Sequence, residues 1–444
     1  MLRKEYQMDQ SITKNFIKYV SLNILGMIGL SCYILADTFF VARALGTSGL
    51  AALNFSISVY SVIHGTGLMI GIGGATRYSI LKSQNKDIQA NRIFTMSTKL
   101  GVFIGIIFAI SGIFGSKFLS LILGANSATL PLTKKYLETI LCFAPFFIMN
   151  NILLAFVRHD HNPKLSMIAM LTGSLSNIVL DYIFMFSLGM GMFGAAFATG
   201  LAPVISISVL SLHFIKKKNN FIYAHTRIKW SSVLDIFNLG LSAFITEVSS
   251  AIALITFNLV ILRLKGNLGV ASYGIVANIA LVGVSIFTGI AQGIQPLISR
   301  GYGIKNNRLL KKVLKLALTT SLLMALMIYL GIFFNKESII HIFNSEGNLE
   351  IAEIAKTGCE IYFLGFFFAG INIIISMYLS ATERAQDAFM ISIARGCIII
   401  VPLVLLMSHI WNMEGIWLSF VLTEVFVTIL VILIIKLKQK NNRN

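Results

Sequence analysis

Twelve apolar stretches, each about twenty residues long or longer, follow one another along the chain. An α-helix rises about 1.5 Å per residue, so about twenty apolar residues can cross the hydrocarbon core of a bilayer. Charged residues make up only 12% of the sequence, and this excludes an ordinary soluble domain, in which about a quarter is usual. We therefore predict an all-α integral membrane protein with about twelve transmembrane helices. Spans one to twelve are predicted at residues 16–42, 51–78, 93–119, 132–156, 164–187, 193–215, 233–262, 271–299, 313–334, 358–380, 388–409 and 415–436.

The basic residues are distributed unevenly along this pattern. The formal net charge of +18 at first suggests a nucleic-acid partner, but the Lys and Arg residues form clusters separated by loops with few charges. The odd-numbered loops hold 8 of the 36 basic residues, and the termini and even-numbered loops hold the other 28. This is the positive-inside pattern of membrane proteins. We predict a multi-pass protein of the cell membrane with both termini cytoplasmic and no nucleic-acid partner.

The two halves of the sequence repeat weakly at a spacing of about 220 residues. Six spans in each half give both halves the same orientation, so the repeat is parallel, about an axis along the membrane normal. We predict two six-helix lobes, residues 1–220 and 221–444, related by a parallel pseudo-two-fold repeat. Transporters built in this way hold their substrate between the halves. The matched segments are Gly49–Ala52 with Gly269–Ser272, Gly73 and Ser79 with Gly293 and Ser299, and Met192–Gly194 with Met413–Gly415.

Two acidic residues, Asp37 and Asp181, lie inside apolar spans of the first half. A charged side chain at the centre of a membrane helix costs roughly 2.5–3.5 kcal/mol on insertion scales, so such residues face an interior cavity and are functional by default. Asn177 precedes Asp181 by one helical turn, and Thr199 and Tyr136 fall at a similar depth, about 8–9 Å below the outer ends of their spans. Hard oxygen donors of this kind suit Na⁺ or a proton. A purely structural role for the two acids, and interhelical hydrogen bonding by the hydroxyls, are the alternatives.

The second half offers a possible further site at Glu247, Glu424 and Arg395. Glu247 has no evident basic partner, whereas Glu424 and Arg395 are placed to form a structural ion pair. The glycines of span two follow no strand and lack the Lys-Ser/Thr of a phosphate loop, so they indicate close helix packing. The four cysteines lack zinc-ligand spacing and are expected to be buried free thiols. No catalytic Ser-His-Asp or Cys-His arrangement is apparent, so the chain is not predicted to be an enzyme.

Several stretches resemble signatures of the multidrug and toxic compound extrusion (MATE) family. They are Asp37-Thr-Phe-Phe-Val-Ala-Arg-Ala-Leu-Gly46, Gly71-Ile-Gly-Gly74, Asn162-Pro-Lys-Leu with Asn177-x-x-x-Asp181, Gly289-Ile-Ala-Gln-Gly-Ile-Gln-Pro-Leu-Ile-Ser299 and Gly415-Ile-Trp-Leu-Ser. The resemblance implies a two-lobed inner-membrane antiporter that exports bulky, often cationic, hydrophobic compounds against Na⁺ or H⁺. It implies a first-lobe cation site at Asp37, Asn177, Asp181 and Thr199, with Tyr136 a looser match.

The chain departs from that family in two places. Many members bend the first helix at a proline, but Ser21-Leu22 occupies that stretch here. Some members carry acids in helices seven and ten. Glu247 matches the first of these, and span ten offers only Glu360 at its outer edge.

The prediction is a cation-coupled antiporter, expected to be a monomer, with small hydrophobic or cationic substrates and no cofactor besides Na⁺ or H⁺ as coupling ion. A lipid-linked saccharide flippase of the related superfamily is the main alternative, although such proteins tend to have fourteen spans and a basic cavity. A non-transporting membrane scaffold is the other alternative, which the two acids in apolar spans disfavour.

Overall fold

The protein is built from α-helices joined by short turns and loops. This computed structural model describes residues 2–225, 229–344 and 347–441, and it describes side chains between residues 10 and 437 of these ranges. Short π-helical turns, Ile183–Ser187 and Ala394–Ile398, continue α5 and α12, and a 3-10 turn, Phe363–Gly365, continues α10. The helices are α1 (Leu2–Ser83), α2 (Asp87–Ile122), α3 (Leu130–Cys142), α4 (Ala144–His159), α5 (Pro163–Tyr182), α6 (Gly191–Leu210), α7 (Leu212–Ile215), α8 (Trp230–Gly303), α9 (Asn307–Phe343), α10 (Leu349–Tyr362), α11 (Phe366–Ala381), α12 (Ala385–Ile393) and α13 (Ile400–Asn441).

The described helices give twelve membrane spans. Eight helical stretches are long and apolar enough to cross a bilayer, and α3 with α4 makes a ninth span bent by 48°. Three of the eight contain a break in helical geometry, at Gly46, at Gly266 and at Trp411–Asn412, and each break divides its stretch into two spans. The predicted fold class is thereby confirmed.

The breaks also reveal the internal repeat. Gly46 has φ 62° and ψ −154°, and Gly266, 220 residues later, has φ 61° and ψ −152°. Both angles lie in a region that glycine enters without steric cost, because it has no Cβ. His161 and Glu383, each between two helices on the same side of the bundle, share a left-handed backbone with φ 65° and φ 58°. The two halves therefore repeat in backbone conformation as well as in sequence.

Two main hydrophobic cores follow the two halves. One core consists of buried side chains between Met27 and Ile236. The other consists mainly of buried side chains between Phe257 and Phe420. The outward faces of α2 and α9 expose large apolar side chains, as expected of helices that face lipid. Cys32 and Cys142 are exposed, so the expectation that every cysteine is buried was wrong. A free Cys behaves as a small hydrophobic side chain, so a membrane span can carry it without burying it inside the protein.

The first lobe (spans one to six) and the second lobe (spans seven to twelve) meet at the end of the bundle that carries both chain termini, called the terminal end below. A Cβ on Gly73 would lie 1.9 Å from the backbone oxygen of Ile236, and one on Gly293 would lie 2.8 Å from the Cα of Val20. These positions bring backbones of opposite lobes together, which confirms that the glycine-rich stretch of span two serves close packing.

The interlobe polar contacts identified among the described residues all lie in the same half of the bundle. Arg158 links Asn23 to Gln292 of the second lobe, and Gln295 donates to Thr76. The contacts farthest from the terminal end are Ser31 with Ser285 and His64 with Glu247. The lobes thus form a V that is closed at the terminal end.

The segment that follows α7 is fixed to the first lobe by Asp160. This carboxylate accepts from the Asn220 backbone N–H at 2.7 Å and lies 2.8 Å from His213 Nε2. Burial alone would raise the pKa of Asp160, but the hydrogen bonds from His213 and Asn220 outweigh it and hold the pKa below its usual value. Phe221 is fully buried beside Tyr78. The first residues of the link between the lobes therefore pack against the first lobe.

Candidate cation site in the first lobe

Four helices of the first lobe bring the predicted site residues together. Asp37 comes from α1, Tyr136 from α3, Asn177 with Asp181 from α5, and Thr199 from α6. Asn177 and Asp181 are completely buried, and the other three are no more than 7% exposed. Asp181 lies in the last turn of α5, where the π-helical turn begins two residues later. The structure thus gathers all five residues in one buried cluster.

Asn177 bridges Asp181 and Thr199. In one orientation its amide nitrogen lies 3.4 Å from the Thr199 hydroxyl. When the amide is rotated by 180°, its nitrogen donates to Asp181 Oδ2 at 3.1 Å and its oxygen accepts from the Thr199 backbone N–H at 3.2 Å. The rotated orientation satisfies both ends of the amide, so it is the correct assignment on hydrogen-bonding grounds. Asn177 then holds one oxygen of Asp181 in place and leaves the other free to bind.

The two carboxylates are incompletely satisfied. Oδ1 of Asp37 and Oδ1 of Asp181 are buried and have no hydrogen-bond partner among the described residues. Neither acid forms an ion pair with a described Lys, Arg or His, although the two acids interact electrostatically with each other. A buried carboxylate oxygen without a donor is costly unless a cation or a proton occupies it. The cluster therefore has the chemistry of a cation or proton site.

The donor set fits a hard cation. Two carboxylates, an amide oxygen and a hydroxyl are oxygen ligands of the kind that alkali and alkaline-earth ions prefer. Among the residues that the structure describes, no group of three or more His, Cys, Asp and Glu side chains could hold a metal ion. The site at Asp37, Asn177, Asp181 and Thr199 therefore suits Na⁺ or a proton better than a transition metal.

Aromatic side chains connect this cluster to the lobe interface, and the sequence reasoning missed them. The hydroxyls of Tyr33 and Tyr60 lie 3.0 Å apart, and the Tyr60 ring stacks on His64 at 5.7 Å between centroids. His64 Nδ1 in turn lies 3.5 Å from Glu247 Oε2 of the second lobe. The signal was present, because Tyr33 precedes Asp37 by four residues and Tyr60 precedes His64 by four, which places each pair on one helix face.

The three second-lobe candidates divide between two places. Glu424 forms the expected pair with Arg395, with Oε1 2.6 Å from Nε, and its Oε2 accepts from Asn372 at 2.8 Å. Glu247 instead faces His64 of the first lobe, so the expectation that it lacks a basic partner was wrong. That partner comes from the opposite lobe, which local sequence does not reveal. No hydrogen bond or ion pair in the described chain joins Glu247 to the Glu424–Arg395 pair.

Comparison with known proteins identifies the family. The MatE family model matches residues 23–183 and 243–406, well over half of the chain. The chain belongs to the MatE family. Among MatE relatives, the Multidrug export protein MepA of Staphylococcus saprophyticus is 25% identical over 429 residues, covering 96% of this chain and 94% of that protein. MepA of Staphylococcus haemolyticus is 24% identical and covers 97% and 94%.

Solved structures agree on the fold. A multidrug resistance MATE family transporter of the MOP superfamily, solved in an outward-facing conformation, superposes on this chain with a TM-score of 0.89. The two are 22% identical, and the superposition covers 94% of each chain. The relatives are described as a multidrug export protein and a transporter, and the matches do not favour the lipid-linked saccharide flippase alternative.

Proposed function

We propose that this MatE protein is a cation-coupled antiporter that exports bulky hydrophobic or cationic compounds. The observation that carries the proposal is the pair of buried carboxylates, Asp37 and Asp181. Each has an unpartnered oxygen, and neither forms an ion pair with a described Lys, Arg or His. The multidrug export activity named for the MepA relatives supports the substrate class.

The exchange follows from charge neutralisation. While the first-lobe acids are ionised, their negative charge attracts a cationic substrate into the space between the lobes. Entry of Na⁺ or a proton at Asp37, Asn177, Asp181 and Thr199 removes that charge, and the substrate leaves. The oxygen ligands suit either ion, and Tyr136 interacts electrostatically with both carboxylates. Substrate and coupling cation therefore exclude each other.

The distribution of basic residues supports a cell-membrane protein with both termini in the cytoplasm. With that orientation, the lobes are closed towards the cytoplasm and the V opens outwards. The cation site then lies in the outer half of the first lobe, within reach of ions entering from outside. The chain is proposed to work as a monomer, because each lobe supplies the other's facing surface.

Efflux of a dye from proteoliposomes tests this function. Vesicles loaded with ethidium receive an inward proton gradient alone, an inward Na⁺ gradient alone, both, or neither. Efflux is expected only with an inward gradient of the coupling ion, and the single-gradient arms identify that ion. Efflux that continues after both gradients are collapsed contradicts antiport.

The site is tested by variants in the same vesicles. Asp37→Asn and Asp181→Asn keep the side-chain shape but carry no charge, so each should abolish efflux. Glu414→Gln removes an exposed carboxylate between spans eleven and twelve and is the matched control. Wild-type efflux in either aspartate variant would make that acid structural.

A further inference from the structure

At the terminal end of the lobe interface, one arginine forms ion pairs that the internal repeat does not reproduce. Arg77, near the end of α1, pairs with Glu383 in the turn between α11 and α12 of the other lobe and lies 3.5 Å from Asp235 of α8. The turn residue of the first lobe with the same left-handed conformation as Glu383 is His161. The first lobe thus presents an imidazole where the second lobe presents a carboxylate.

Arg300, near the end of α8, faces this imidazole. It lies within one helical turn of the position equivalent to Arg77, and its charge acts on His161 and Tyr19. No carboxylate pairs with Arg300 among the residues that the structure describes. Burial, followed by the charge of Arg300, lowers the pKa of His161, and the neutral or protonated imidazole offers no negative charge to compensate Arg300.

The repeat would place a carboxylate at His161, opposite Arg300. A cavity of about 510 Å³, lined by both residues, lies there instead. It lies between the lobes at the terminal end and is lined by, among others, Tyr19, Lys82, His159, His161 and Arg300. The ammonium group of Lys82 also forms an ion pair with the exposed Asp87, 2.6 Å from its Oδ1, and has two further N–H donors. The cavity therefore presents two cationic groups, one from each lobe.

The remaining polar groups of the wall also fit an anion. His159 is 4% exposed, its Nδ1 bonds to the Ala155 carbonyl at 2.9 Å, and its Nε2 has no partner. Since the carbonyl requires a proton on Nδ1, the free Nε2 of the neutral ring accepts a hydrogen bond. Asp160 is the one carboxylate among the described residues of the wall, and Tyr78, His213 and Asn220 surround its two oxygens.

We propose that this cavity binds a phosphate group, which bridges Arg300 of the second lobe to Lys82 of the first and stabilises the closed terminal end. The anionic oxygens accept from the guanidinium and ammonium groups, as charge-assisted hydrogen bonds to phosphate do. A protonated oxygen of monohydrogen phosphate or of a phosphate monoester, or a hydroxyl of a glycerol headgroup beside a phosphodiester, donates to Nε2 of His159. The group comes from a soluble phosphate compound or from the headgroup of an anionic phospholipid.

Amide hydrogen exchange tests the proposal on the full chain in nanodiscs. In phosphatidylcholine nanodiscs, inorganic phosphate should slow exchange in the turns around residues 159–162 and 301–306, and chloride at equal ionic strength should not. Nanodiscs containing phosphatidylglycerol without added phosphate form the second arm. Protection in the first arm identifies a soluble phosphate group, and protection only in the second identifies a lipid headgroup. Protection in neither arm overturns the proposal.

Two variants and a control make the test specific. Arg300→Gln should weaken the response, raising the half-maximal phosphate or lipid content about tenfold or more, since hydrogen bonds to charged groups are strong. Lys311→Gln removes an exposed charge from the next helix and should respond as the wild type does. His161→Glu restores the carboxylate of the other half, so its turns should be protected without phosphate and gain nothing from it. An Arg300→Gln response equal to that of Lys311→Gln, or a His161→Glu protein that still needs phosphate, contradicts the bridging role.

Discussion

The hydrogen bond between Arg158 and Gln292 should set how firmly the lobes close at the terminal end. Arg158 is 2% exposed, and its Nη1 donates to Asn23 Oδ1 at 2.7 Å within the first lobe and to Gln292 Oε1 at 2.8 Å across the interface. When the lobes separate, the bond to Gln292 is lost and water replaces it. Gln292→Leu removes that acceptor with little change of volume. The variant should therefore destabilise only the conformation in which the lobes are closed at the terminal end.

The size of the effect follows from the charge on Arg158. A hydrogen bond to a charged group contributes about 1.5–3 kcal/mol. Because about 1.4 kcal/mol is a factor of ten in an equilibrium constant, the variant should shift the lobes about ten- to hundredfold towards the state open at the terminal end. Gln292→Glu should act in the opposite direction, since a carboxylate pairs with the buried guanidinium.

Distances between spin labels measure this shift. Labels at the exposed positions Lys86 and Asn307, one on each lobe, report the separation of the terminal end in a cysteine-free background. The Gln292→Leu protein should gain a long-distance population, and Gln386→Leu, which changes an exposed glutamine, should not. A distance distribution for Gln292→Leu that matches the wild type would refute the reasoning.

Three further results are expected. Glu424→Gln leaves Arg395 without its buried partner and should cost about 3–5 kcal/mol of stability, seen as a lower Tm that Arg395→Met partly restores; an unchanged Tm argues against the pair. Gly73→Val places a Cβ 1.9 Å from a backbone oxygen of the other lobe, so the spin-label distance should lengthen, and an unchanged distance would show that the lobes do not close at this point. Glu247→Gln should impair transport less than Asp181→Asn, because Glu247 is partly exposed and is paired with His64. The reverse order at matched expression would indicate that the coupling site lies in the second lobe.

The spans and the first-lobe cluster could be predicted because each leaves a local trace in the sequence. Apolar runs have the length that a bilayer requires, and Asp37 and Asp181 interrupt such runs. Counting residues from the span ends placed Tyr136 and Thr199 at the right depth, because helical rise is constant. The Glu424–Arg395 pair could be predicted from the sequence in the same way.

The contacts between the lobes could not be predicted in this way. His64 and Glu247 are 183 positions apart, and their meeting depends on how two six-helix bodies are turned towards each other. Arg158 lies beside a polar turn in the sequence, yet its side chain is buried and binds the other lobe. The short Gly46 break, with helix on both sides, also escaped notice, because a single glycine reverses the chain where a longer loop was expected.

Cation release upon substrate binding tests the central claim most directly. Calorimetric titration of ethidium into the purified protein, in buffers of different ionisation enthalpy and over a series of Na⁺ concentrations, gives the number of protons or Na⁺ ions released per bound molecule. The account predicts release of coupling cation by the wild type and by the Glu414→Gln control, and none by Asp181→Asn. Equal release by Asp181→Asn and the wild type would show that the first-lobe carboxylates do not hold the coupling ion.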